Sequence, residues 1–167
     1  MKNRRMQQAG KNKRERGSIL ATSAIGMLSI LLAVGLGVDI SRFYLTKTEL
    51  QNAADAAALA AVSGLNTAPT GITKAADRAV AAMNNYNFNH TSVSFPRGNV
   101  EFAANLNGPY MSEGSATSQA AKIRFVRVTT PASAAGVSFA ASVLGNSKNI
   151  TATATAGFSV PLNEFCN

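Results

Sequence analysis

The chain has 167 residues, of which 46% are hydrophobic and 14% charged, with a formal net charge of +8. That length leaves room for one small domain beside a membrane segment and excludes a second core. The charge is local: seven of the 16 basic residues lie at or before Arg16 against one acid, Glu15, and the remaining 9 bases face 7 acids. A basic tail ahead of an apolar run is the positive-inside pattern of a membrane protein, not the patch of a nucleic-acid surface.

In chain order, residues 1–16 read as a basic cytoplasmic tail and residues 17–38 as a transmembrane helix. Ser18 to Val38 is 21 residues without a charge, which at 1.5 Å per residue spans about 30 Å, the thickness of a bilayer core. A cleaved secretory signal has a shorter apolar region and a small-x-small site close behind it. The segment is therefore read as a retained single-pass anchor, N-terminus cytoplasmic. Ser29, Ala33 and Gly37 recur at four-residue spacing, a stripe of small residues that lets another membrane helix come close.

Residues 39–64 continue as an extracytoplasmic helical extension. Phe43, Leu50, Ala54, Ala57 and Ala61 keep one helical face, and alanine gives that face high helix propensity and a thin surface. If continuous from Ser18 to Ser63, the helix is roughly 70 Å long. Asp39, at the predicted membrane edge, and Asp55, inside the alanine run, are the candidate partner contacts. A carboxylate in such surroundings is costly unless paired.

Here the residues resemble a known family. Arg16-Gly17-Ser18-Ile19, the apolar run ending Gly35-Leu36-Gly37-Val38-Asp39, and Leu50-Gln51-Asn52-Ala53-Ala54-Asp55 with the alanines to Ala60 are similar to the N-terminal module of TadG-like proteins. Those proteins serve the tight-adherence (Flp/Tad) pilus assembly systems of bacteria. Val126 to Thr129, Phe139 to Gly145 and Ile150 to Ala156 resemble the extracytoplasmic part of the same group. Longer relatives carry a further domain, often of von Willebrand A type, and nothing of metal-dependent adhesion is carried over from it. The resemblance implies other pilus-assembly or pilin proteins as partners, in the bacterial inner membrane and envelope. Prepilins and TadE-like pseudopilins share a glycine followed five residues later by glutamate. Here Gly17 is followed at that distance by Thr22, so the junction Gly17-Ser18 is a candidate processing site that departs from the pattern, and the tail is expected to stay attached.

Residues 65–167 read as an α+β extracytoplasmic domain. After a linker from Leu65 to Gly71, the spacing of Ile72, Ala76, Ala79, Met83 and Tyr86 predicts a second amphipathic helix, ended by Asn84, Asn85, Asn87 and Asn89. Val100, Phe102, Ala104 and Leu106 alternate with polar or small residues and predict a strand closed at Asn107-Gly108-Pro109. Tyr110 to Ala120 reads as loop. Ala121 to Thr129 has strand composition with a slip in its alternation, which a bulge or two-sided burial explains. A short helix through Val137, Ala140, Ala141 and Leu144 ends at Gly145, and Ile150 to Val160 alternates as a strand with a threonine face. The fold class is thus α+β: a long N-terminal transmembrane helix continuing into a small domain with a second helix and an antiparallel sheet packed on helices.

Catalysis has little to stand on. The single His90 lies in an asparagine-rich loop, and the acids beyond the tail are dispersed without metal-ligand spacing. Gly35-Leu36-Gly37 lacks a preceding strand and the last glycine of a dinucleotide fingerprint. No catalytic, metal or cofactor residue is assigned, and an enzyme is not expected. The single Cys166 excludes an internal disulfide. It reads as an incidental thiol, a site for an intermolecular disulfide, or a position past which longer relatives continue. Lys122, Arg124 and Arg127 read as a solvated strand face or a contact for an acidic partner, and no nucleic acid is expected. The leading function is anchoring or scaffolding of a Tad-type pilus, with membrane lipids as a further partner and homo-oligomerisation open. The alternatives are a processed minor pilin in the fibre and an adhesion module with its ligand on the threonine face.

Overall fold

The computed structural model describes residues 4–84, 87–88, 91–92 and 95–159. One helix, α1, runs Arg4–Val62 over 59 residues, so the helix begins within the basic tail as well as extending past Val38. It stops where Ser63 and Gly64 turn the chain, their N–H groups returning to the carbonyls of Leu59 and Ala61. A Cβ at Gly64 would lie 2.7 Å from the Ala75 nitrogen, so only glycine lets the backbones come this close. The second helix, α2, is Pro69–Asn84. It takes in Pro69, Thr70 and Gly71, which the sequence reading gave to the linker. Proline suits the first turn, where its missing N–H has no partner to lose.

Beyond α2 come two short paired strands, β1 (Asn87–Phe88) and β2 (Thr91–Ser92), then β3 (Val100–Ala103), α3 (Glu113–Thr117) and β4 (Phe125–Thr129). The chain continues with β5 (Ser133–Gly136), α4 (Ala141–Leu144), β6 (Ser147–Ile150) and β7 (Thr153–Gly157). The main sheet is antiparallel in the order β3-β4-β7, with Phe102 opposite Val126 and Val128 opposite Ala154. β5 and β6 pair in a two-stranded sheet. The architecture is α+β with a long apolar N-terminal helix, a second helix and antiparallel sheets.

Several boundaries differ from the sequence reading. β3 ends at Ala103, and Leu106 lies in a turn, largely exposed. Tyr110 to Ala120 is not plain loop: it holds α3, and Met111 exchanges both backbone hydrogen bonds with Phe102 at 2.9 Å. The slip before Val126 is neither bulge nor two-sided burial. A short 3-10 turn, Ala120–Lys122, delivers Ile123 to the core, and regular alternation starts afresh at Phe125. Ile150 closes β6, so the last strand starts at Thr153, and Val160 lies outside the described residues, as do Tyr86, Asn85 and Asn89.

The chain forms two compact units, Met1–Arg42 with Gly136–Ser147, and Phe43–Ala135 with Lys148–Asn167. In the first, the apolar side chains of α1 from Ile19 to Val38 stand exposed. The second holds the core. Leu50, Ala54, Ala57 and Ala61 of α1 are buried in it with Ile72, Ala76, Ala79 and Met83 of α2 and the inward row Val100, Phe102, Val126, Val128 and Ala154 of the sheet. Its layers are thin because alanine supplies most of the helical face. Thr130 is buried, and its N–H and hydroxyl both meet Ala152, donating to the carbonyl at 2.8 Å and accepting from the N–H at 2.9 Å. No unpaired buried polar side chain is left among the described residues.

Both outer edges of the sheet are occupied. Met111 lies along β3, and at the start of β7 the carbonyls of Thr151, just before the strand, and Thr153 accept from Lys47 Nζ at 2.5 Å and Gln51 Nε2 at 3.2 Å. Such cover blunts an edge that would otherwise pair with a foreign strand.

A candidate membrane-boundary site around Asp39

Gly35, Asp39 and Arg42 follow one another at i, i+4 and i+7, one face of α1. All three receive the same segment, the turn that runs from Val137 into α4. Asp39 is completely buried, and its carboxylate accepts three consecutive backbone N–H groups: Ser138 on Oδ1 at 2.9 Å, Phe139 and Ala140 on Oδ2 at 2.9 and 2.8 Å. Arg42 Nη1 donates to Ser138 Oγ at 3.1 Å. Gly35 is buried beneath Phe139: a Cβ there would lie 2.7 Å from Phe139 Cβ and closer still to the ring. Any larger residue at 35 displaces the segment.

The site is a clamp with one ionic group. The N–H groups of Ala140 and Ser138 hold the Asp39 carboxyl below its ordinary value, with help from Phe139 and Arg42, against the opposing effect of burial. A carboxylate held down in the folded state stabilises it above the unfolded value of 3.8 and loses that contribution as pH falls through the lowered folded value. Acidification through that lowered value, below 3.8, should therefore release this segment. Hydrogen exchange at the Ser138, Phe139 and Ala140 amides is the check. Asp39→Ala should give the released pattern already at neutral pH, and unchanged protection in that variant would refute the clamp.

The other sequence candidates lie apart from it. Asp55 is exposed, and its Oδ1 accepts from Gln51 Nε2 at 3.0 Å one turn earlier. With Ala58, Leu59, Thr155 and Gly157 it lines a shallow groove of about 360 Å³ along β7. Ser29, Ala33 and Gly37 are exposed on α1, the Ser29 hydroxyl donating to the Ile25 carbonyl at 2.9 Å. Gly17 and Ser18 are also exposed, and Thr22 donates its hydroxyl to the Ser18 carbonyl at 2.9 Å. His90 and Cys166 lie outside the described residues. No cluster of three or more His, Cys, Asp or Glu able to hold a metal occurs among the described residues.

Two polar assemblies escaped the sequence reading. Arg97 joins Asp77 of α2 to Glu113 of α3, with Nε 2.6 Å from Glu113 Oε2. Arg127 meets Glu101 across the strands at 2.7 Å and lies 3.8 Å from the centre of the Tyr110 ring. Of the predicted basic group, then, Arg127 is already paired, Arg124 is half-buried and Lys122 is exposed. The i, i+4, i+7 spacing of Gly35, Asp39 and Arg42 was visible in sequence, but nothing in it pointed to residue 138.

Fold and site together define a class: among the described residues one helix is long and apolar enough to cross a membrane, by length and composition, and the chain also holds a small α+β fold. Residues 17–85 match the family model Tad, described as Flp pilus-assembly TadE/G-like. No curated protein and no solved structure matches the chain.

Proposed function

We propose that the chain is a structural, non-enzymatic, membrane-anchored component of a Tad/Flp-type pilus assembly system. It anchors or scaffolds other components in the bacterial inner membrane. The tail before Ser18 is retained on the cytoplasmic side, and the α+β domain is extracytoplasmic. The observation that carries this reading is the continuity of α1, one helix holding both the charge-free run of the Tad-type domain and the alanine face buried in the core. The exposed small-residue stripe Ser29, Ala33, Gly37 is the proposed seam for another membrane helix. Exposed Asp55, beside the groove along β7, is the proposed contact for a partner in the envelope.

Affinity capture of the full chain from detergent-solubilised membranes tests the proposal. Other pilus components should co-purify, Asp55→Lys should lower their recovery severalfold, and the intact mass should include the tail. A mass beginning at Ser18 would transfer the chain to the processed minor pilins. Recovery of a soluble ligand in place of pilus components would favour an adhesion module.

A further inference from the structure

The clamp raises the question of what Phe139 is for. Its ring lies over Gly35, three residues before the end of the charge-free run, or about 5 Å inside the boundary at Val38. Yet it is 58% exposed and Leu144 is 39% exposed, while Leu36 and Val38, which flank this stretch of α1, are exposed as well. Backbone brought to this depth must have its N–H groups satisfied from within the protein. Six of those of the turn are: Val137 donates to the Asn146 carbonyl at 2.9 Å, Ser138, Phe139 and Ala140 donate to Asp39, and Leu144 and Gly145 donate to the carbonyls of Ala140 and Ala141 at 2.9 Å. Gly145, at φ 80°, then turns the chain out again.

We infer that the segment Val137 to Gly145 is a second membrane contact, which inserts Phe139 and Leu144 into the boundary between headgroups and acyl chains. The inference rests on the reading of Ser18 to Val38 as a membrane-spanning anchor. The occupant is lipid rather than protein, because the exposed ring continues the apolar surface of the spanning helix at a depth that bilayer elements of this kind reach. Asp39 does two things here. It replaces the water that the turn's N–H groups lose, and it pins Phe139 at one height along α1. Arg42, exposed one turn further out, stands at headgroup level with its guanidinium on Ser138.

The chain contains no tryptophan, so a single introduced one reports its own depth. Phe139→Trp, Leu144→Trp and Leu28→Trp, each in the full chain, are reconstituted in phosphatidylcholine vesicles brominated either near the headgroup or near the chain end. Trp at 139 and at 144 should be quenched by the shallow bromines, emit to the blue and resist aqueous acrylamide. Trp at 28 should be quenched by the deep bromines. Adding Asp39→Ala to Phe139→Trp should shift the emission to the red and restore acrylamide quenching. Trp at 28 in lipid with 139 and 144 open to acrylamide would overturn the inference alone. Trp at 28 in water would overturn the anchor as well. Positions 139 and 144 shielded from bromine and acrylamide alike would mean that a second protein surface covers them, and would also overturn it.

Discussion

Phe102→Ala should lower the unfolding free energy of the detergent-solubilised chain by about 3–5 kcal/mol. Phe102 is the largest fully buried side chain, in the edge strand of a sheet whose inner face is otherwise valine and alanine. Removing the ring leaves a cavity that these short side chains cannot fill by leaning inward. Against a total stability of about 5–15 kcal/mol that is about a fifth or more, so the melting temperature should drop by more than about 10 °C. Leu106→Ala supplies the contrast. Simple alternation puts Leu106 on the same face as Phe102, but it stands in the turn, 57% exposed, and its loss should cost no more than about 0.5 kcal/mol. Equal losses at the two positions in thermal or urea unfolding would mean that the strand continues past Ala103.

Leu28→Arg should remove the chain from the membrane. Leu28 is the midpoint of the charge-free run and is exposed on α1. An arginine at the centre of a spanning helix costs about 2.5–3.5 kcal/mol, and the lost leucine adds a few tenths. The chain should therefore move from the alkali-resistant membrane pellet to the soluble fraction. Leu45→Arg, also exposed but beyond Val38, should leave extraction unchanged. An equal response from the two variants would mean that α1 is not divided at Val38 into membrane and aqueous parts.

The parts of the fold set by short-range periodicity were legible in the sequence. The α1 face from Leu50 to Ala61, the α2 face from Ile72 to Met83 and the alternation of Ala152 and Ala154 with threonine all follow from spacings of a few residues, and burial agrees with each. What failed depended on partners distant in the chain. The stop after Ala103 is set by the return of Met111 against Phe102, and the fresh start at Phe125 by its pairing with Ala103 and Gly157. β6 is exposed along all but its last residue, so no period announced it, and β5 alternates over only four small residues, Ser133 to Gly136. Half of the candidate site was readable in the same sense: Asp39 stood out as a carboxylate at a membrane edge. Its three donors are main-chain groups, and backbone amides carry no residue-type signal.

Asp39 and Ser138 are 99 positions apart in the chain. At ribosomal rates of 5–20 residues per second, roughly 5–20 s pass between the synthesis of one and of the other. Throughout that interval the helix is available to the bilayer, while Asp39 has no amides to receive it and must remain hydrated. Closure of the turn over Gly35 comes after almost all of the intervening residues have been made. It is thus a late event in biogenesis, and a burial-sensitive probe at Asp39 would distinguish finished molecules from those still in transit.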